Sequence, residues 1–373
     1  MMTSRERIEA ALNHKEPDRT PIFEYVLLSP VADALLGRRY AADPRNWDDL
    51  VAEKGWEAAV RRCAFDQLEL AVLLGHDMLY SIPNPLQTRP RDNAQETVSQ
   101  SDDPVERLRQ RNERDAQAES TPDETLLVYV YLKEYMQERG VDLPILAPAY
   151  SHGVWTDTEL MQTMLLAPDV AKEHFNIATR DTLMRIEKYI ALDIDQIGVG
   201  GDFSGTRPLI SPEAYRTFIV PHVQKISRRI HESKRYSVNA SDGNLWPVMD
   251  DFLFGCEVDG YLEIDWHAGM DLRRLKEICR GRVTLYGNLD CGNILSFGSP
   301  EDVRQHTMAC LEAGMGNGGH ILCASNAITE SVPLQNYLAV VNTYREVFNL
   351  PRFGGAVSSP HVPLSKDGEE VNP

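Results

Sequence analysis

Eight short apolar runs, each parted from the next by a segment with helical periodicity, constrain this chain more than any other feature. The runs cover residues 20–26, 77–82, 143–150, 196–202, 236–240, 260–266, 283–290 and 319–325. Strand followed by helix, repeated, builds a parallel sheet, because the chain must cross over before the next strand can run the same way. Eight such units close on themselves, so the spacing predicts an α/β fold of the (β/α)8 TIM-barrel type. The segments between the runs carry helix-starting chemistry. Thr3 and Glu6 make a capping box ahead of Ile8, Ala11 and Leu12, which places one helix before the first strand. Thr156 and Glu159 offer a second box. Ser211-Pro212-Glu213 and Ser299-Pro300-Glu301-Asp302 each supply a cap, a proline whose missing N–H is no loss there, and acids beside the positive helix end. Residues 333–349 read as the last helix, with Leu338, Val341 and Tyr344 on one face.

Residues 86–122 break the rhythm. They are almost wholly polar and read as an insertion after the second strand, part loop and part solvated helix, lying over the barrel mouth as a candidate lid. The rest of 1–350 forms a single barrel domain, and 351–373, rich in Gly, Ser and Pro, reads as a poorly ordered tail.

Charge narrows the partners. A formal charge of −18 repels nucleic-acid phosphates and anionic membrane surfaces, and no Lys/Arg cluster offsets it. No run of about 18 apolar residues is present to span a bilayer. The six cysteines show no Cys-x-x-Cys pair, so they are expected to be reduced thiols, and the expected compartment is the cytoplasm.

In a barrel of this kind the chemistry sits where strands end, at the C-terminal face. The ends of the runs bring forward a consistent set. The first offers Glu24 beside Tyr25; the third, Tyr150, then His152 and Trp155 in the following loop; the fourth, Asp202 after two glycines. The fifth leads into Asn239, Ser241, Asp242 and Asn244; the sixth carries Glu263 and Asp265. Asn288 and Asp290 close the seventh, and Cys323 and Asn326 the eighth, while His320 stands at the start of its strand, toward the wrong face. Carboxylates so placed can move a proton, bind a cation or hold a substrate amine or hydroxyl. Asp202, Asp242 and Glu263 are the expected catalytic groups. Glu24, Tyr150, His152, Trp155, Asn239, Ser241, Asn288 and Asn326 are the expected substrate contacts. Asp242 or Asn244 can equally cap a helix starting near Leu245.

Several motifs fit one known family. They are Arg5-Glu6-Arg7-Ile8-Glu9-Ala10-Ala11-Leu12 with Glu16-Pro17-Asp18-Arg19-Thr20-Pro21, Leu209-Ile210-Ser211-Pro212-Glu213-Ala214-Tyr215, Ser241-Asp242-Gly243-Asn244, Gly269-Met270-Asp271-Leu272, Gly287-Asn288-Leu289-Asp290 and Val332-Pro333-Leu334-Gln335-Asn336. Together they resemble the uroporphyrinogen decarboxylase superfamily over nearly the whole chain. Decarboxylating members carry an arginine-rich stretch after the first strand to bind propionates; here the position reads Glu24-Tyr25-Val26-Leu27-Leu28-Ser29-Pro30. An acid stands where anion binders belong. The other branch of the family transfers methyl groups to or from a corrinoid, and its thiol-methylating members hold zinc with a His-x-Cys pair and a later cysteine. Asn239 or Ala240, Ser241 and Asn326 stand at those places, so the resemblance implies zinc only if Asp202, Glu263, Asp290 and Cys323 supply the ligands. The leading expectation is a methyltransferase moving a methyl group between a small methylated or methoxylated compound and a corrinoid protein partner, with a homodimer as the assembly that the resemblance implies. The alternatives are a metal-free decarboxylase or lyase for a small carboxylic acid, and a non-catalytic barrel that binds a corrinoid or other ligand.

Overall fold

The computed structural model describes residues 1–87, 101–117 and 121–354. Seven strands form one parallel sheet in chain order: β1 (Leu79–Tyr80), β2 (Ile145–Pro148), β3 (Gln196–Gly200), β4 (Tyr236–Ala240), β5 (Gly260–Leu262), β6 (Thr284–Tyr286) and β7 (His320–Ile321). The eighth stave is residues 20–28. Ile22 forms a parallel bridge to Leu322 beyond β7, and its carbonyl accepts the Asp77 N–H at 2.7 Å just before β1. The segment therefore fills the place between β7 and β1 and closes the ring. All eight expected runs contribute a stave.

Alternation along each strand sorts the side chains. Phe23, Met78, Leu146, Val238, Leu262, Tyr286, Ile321 and Cys323 pack inside the barrel, with Ile8, Ala11 and Leu12 of the helix Ser4–Leu12 plugging its floor. One polar pair lies among them, the Tyr286 hydroxyl donating to Gln196 Oε1 at 2.5 Å, which satisfies both groups where water cannot reach. The alternate residues, such as Ile197, Val199, Tyr261 and Leu285, face the helix layer. Above the Phe23–Met78–Leu146 level, the next inward positions are the mouth.

Closure is held by charge. Asp77 is fully buried and accepts from Arg7 Nη1 at 2.6 Å, from Arg19 Nη1 and Nη2 at 2.7 and 2.8 Å, and from the Ile22 N–H at 3.1 Å. Thus the Arg5–Leu12 and Glu16–Pro21 motifs have a structural use, binding the first stave and the plug helix to β1. The expected caps form at Thr3, Ser211 and Ser299, and Ser299 pairs with Asp302 in a full capping box. The box expected at Thr156 does not. Thr156 is at φ 64°, turning the chain, and Asp157 caps the helix Thr158–Leu166 by accepting from Leu160 N. Nor does Asp242 cap the next turn; Asn244 does, its Oδ1 accepting from Trp246 N at 3.1 Å.

Within the insertion, the helix Pro104–Ala116 packs against the helices Thr158–Leu166 and Pro168–Ala191. Leu108 is fully buried there, Arg107 bonds Glu159 at 2.7 Å, and Asn112 Nδ2 donates to the Val170 carbonyl at 3.0 Å. The rest of the expected lid, 88–100 and 118–120, and the tail 355–373 lie outside the described residues.

Candidate active site

At the mouth, the ends of three strands bring side chains to one point. Asp202 follows β3, Asp242 stands two residues beyond inward-facing Ala240, and Glu263 directly follows β5. One carboxylate oxygen from each lies within 4.8 Å of the others. Simple alternation would turn Glu263 away, since Leu262 already faces inward. Its φ of 69° reverses the direction and sends the side chain into the mouth. That backbone region costs a residue with a Cβ of the order of 1 kcal/mol or more, a strain found mainly where a side chain must be aimed.

Neighbours fix the other two. The Asp242 N–H donates to Asp202 Oδ1 at 3.0 Å, and Asn326 Nδ2 donates to Asp242 Oδ2 at 2.6 Å. The loops after β2 and β3 are zipped, with the Asp202 carbonyl accepting from Val154 N and Trp155 N at 2.8 and 2.9 Å. This needs glycine at 153, where a Cβ would come within 2.8 Å of the Asp202 backbone. Among the described residues no Lys or Arg forms an ion pair with Asp202, Asp242 or Glu263. Burial, then the charges of Asp202 and Asp265, push Asp242 up to about 7, with the Asn326 amide pulling the other way. Burial, then Asp242 and Asp202, raise Glu263 well above the carboxylate range.

Three tyrosines surround the acids. Tyr25, Tyr80 and Tyr150 occupy the inward positions two residues beyond Phe23, Met78 and Pro148, and burial together with the Glu263 charge raises all three phenols. The Tyr25 and Tyr80 rings meet at 4.4 Å between centroids with 57° between planes. Tyr150 sits over Gly198 of β3, where a Cβ would come within 2.6 Å of its ring. The Tyr150 hydroxyl is buried and has no hydrogen-bond partner among the described residues.

The structure therefore gathers Asp202, Asp242, Glu263, Tyr150 and Asn326 from the expected set. Other members go elsewhere. His152 is buried behind the sheet, bonded to Thr179 Oγ1 at 2.9 Å and stacked on Phe175 and His222; burial lowers it to about 3. Asn239 faces the helix layer and donates to the Phe252 carbonyl at 3.0 Å. Ser241 is buried under Phe203 N, and Asn288 donates to the Met270 carbonyl at 3.1 Å. Trp155 stands half exposed on the rim against Gly205. Glu24, one residue off parity, points away from the mouth, accepts from Ala324 N at 3.3 Å, and is raised by burial to about 8. The expected metal set does not assemble. Asp290 turns back to accept from Asn293 N at 3.1 Å, and Cys323 lies in the barrel core with its thiol raised by burial. His320, at the strand start, bonds the Gly287 carbonyl at 2.7 Å, a structural role. Tyr25 and Tyr80 were not singled out as substrate contacts by sequence, although counting two from Phe23 and Met78 finds them.

Asp242→Asn is expected to stabilise the protein in a pH-dependent way. A carboxyl raised above its unfolded value holds its proton more tightly folded than unfolded, so native stability falls as pH climbs from the ordinary carboxylate range through about 7. The amide escapes this. Its melting temperature should exceed the wild type's by several degrees near pH 8 and match it near pH 4, read by thermal unfolding across pH. Equal melting curves at both pH values would remove the repulsion from the site.

Comparison with known proteins follows this geometry. Residues 151–347, just over half of the chain, match the family described as Uroporphyrinogen decarboxylase (URO-D). A uroporphyrinogen decarboxylase of Xylella fastidiosa is 24% identical over 190 residues, covering 48% of this chain and 51% of that protein. A methylated-thiol–coenzyme M methyltransferase of Methanosarcina mazei is 22% identical over 152 residues, covering 41% of this chain and 38% of that protein. The chain thus spans about half or less of the length of these curated relatives. Among solved structures, a methyltransferase from Methanosarcina mazei superposes with a TM-score of 0.66 at 18% identity, over 93% of this chain and all of that one, which shows a shared fold.

Proposed function

This chain belongs to the uroporphyrinogen decarboxylase family, and we propose that within it the protein moves a methyl group between a small methylated compound and a corrinoid carried by a partner protein. One observation carries this reading: three carboxylates converge at the barrel mouth, with no Lys or Arg in an ion pair with them among the described residues. Such a mouth repels a substrate made of many carboxylates, since unpaired like charges brought together out of water cost more than the contacts return. It suits a substrate or ion with positive charge.

The zinc of the thiol-methylating relatives does not fit this donor set. Asp202, Asp242 and Glu263 offer oxygen only, whereas zinc sites draw on imidazole and thiolate, and an all-oxygen set suits harder divalent ions. No step is therefore assigned to zinc. The corrinoid, when docked, supplies the methyl acceptor or donor. The chain's own residues hold and orient the methylated compound. Asp202 and Asn326 fix Asp242 from two sides, and Glu263, its carboxyl raised by burial, is placed to exchange a proton with a leaving ether oxygen. Exposed Ile82, Trp155, Leu209 and Trp266 stand on the loops after β1, β2, β3 and β5, on the rim where a corrinoid protein has to dock. Among the described residues no helix is long and apolar enough to cross a membrane.

A second reading, a metal-free decarboxylase, is favoured by the same raised carboxyls, because Asp242, pushed up to about 7, can deliver a proton to a carbanion. One experiment separates the two. Reduced cobalamin is mixed with the protein and a panel of methylated amines, ethers and thiols, and methyl-cobalt formation is followed by absorbance; the panel of small carboxylic acids is run without cobalamin for carbon dioxide release. Methyl-cobalt formation is expected. Carbon dioxide release with no methyl transfer would replace the first reading by the second.

A further inference from the structure

We infer that the compound held in this mouth is a small organic cation bearing N-methyl groups, with Tyr25, Tyr80 and Tyr150 as its aromatic walls and Asp202, Asp242 and Glu263 as its counter-charge. The inference rests on the methyl-transfer reading and names the substrate class for it.

Four observations lead there. Among the described residues the three acids have no Lys or Arg partner, so the mouth lacks the positive charge that its own chemistry calls for. Beside the Asn326 amide, the walls facing them are the rings of Tyr25, Tyr80 and Tyr150. The Tyr25 and Tyr80 rings form a corner, 4.4 Å between centroids and 57° between planes, and the Tyr150 ring occupies the space over Gly198 of β3. Finally, the buried Tyr150 hydroxyl has no partner, an unused polar group at the acid cluster. Tyr25 and Tyr80 also wall a small cavity of about 100 Å³ lined by Met78, Ile82, Leu28 and Leu70, on the side of these rings away from the acids. A methylated ammonium is weakly hydrated, so it gains from ring faces as well as from carboxylates, whereas a compact divalent ion gains only from the carboxylates.

The chemistry is consistent. When a methyl group leaves a quaternary nitrogen, the N–C bond breaks, its electron pair stays on nitrogen, and a neutral tertiary amine remains. The bond can break without a proton being supplied, and the amine left behind takes up a proton afterwards, since an alkylamine is basic at neutral pH.

The test uses choline and its neutral carbon isostere, 3,3-dimethylbutan-1-ol, titrated calorimetrically into the whole chain near pH 8, after dialysis against chelator. Choline should bind at least about 10-fold more tightly than the isostere. Tyr80→Phe, which keeps the ring, should bind choline like the wild type, and Tyr80→Leu should bind about 10-fold more weakly; agreement of the two variants in melting temperature excludes misfolding. Equal affinity for choline and isostere, or unchanged choline binding in Asp202→Asn/Glu263→Gln, would overturn the inference. So would tight stoichiometric manganese binding that choline does not displace. If choline fails to bind while a neutral ether is demethylated, the inference falls and the methyl-transfer reading stands; if choline binds and no methyl compound is turned over, the methyl-transfer reading falls.

Discussion

Asp202→Asn is expected to lower kcat/KM for the proposed methyl transfer by about 100-fold or more, an effect of the size seen when one preorganised charged or hydrogen-bonding group is removed from a dry site. The substitution is nearly isosteric, so the fold around it is preserved. What is lost is the Asp202 charge; the amide oxygen left in its place can still accept the Asp242 N–H that ties the end of β4 to the loop after β3. Steady-state kinetics in the cobalamin assay measure the effect. A loss under about 3-fold, against the 100-fold or more expected of such a group, would take Asp202 out of the reaction.

The second large effect is on stability. Asp77→Ala should destabilise the barrel by about 3–5 kcal/mol, the usual consequence of removing one partner from a buried ion pair. The magnitude follows from what is left behind. Arg7, 3% exposed, and Arg19 would face each other without their shared carboxylate, and the Ile22 N–H would lose its acceptor at the seam where the first stave joins β1. The effect appears as a lowered denaturant midpoint. A change below about 1 kcal/mol, the level of an exposed pair, would mean that closure does not depend on this network.

Most of the barrel is legible in the sequence because two simple periods govern it. Each apolar run became a stave, and Ser211 and Ser299 capped helices where their Pro and acid neighbours announced it. Thr156 misled because a single residue at positive φ shifted the cap to Asp157. Reading the site needed one more step, strand parity. Asp202, Asp242 and Tyr150 could be found at strand ends, but Glu24, Asn239 and His152 were drawn from the same ends and point the other way. Tyr25 and Tyr80 sit on the inward parity and carry the aromatic walls. Glu263 was placed by position, yet no pattern reveals the backbone reversal that brings it inward. Asp290 and Cys323 show the opposite error: metal-ligating residue types near strand ends, one used by its own turn and one buried in the core.

The pH dependence of methyl transfer tests the acidic mouth most directly. In the wild type the rate with a methylated ammonium should rise as pH climbs through about 7, as Asp242 gains its charge, and Asp242→Asn should flatten that rise. Superimposable pH profiles for the two proteins would contradict the account, because the charge of the cluster would then play no part in the reaction.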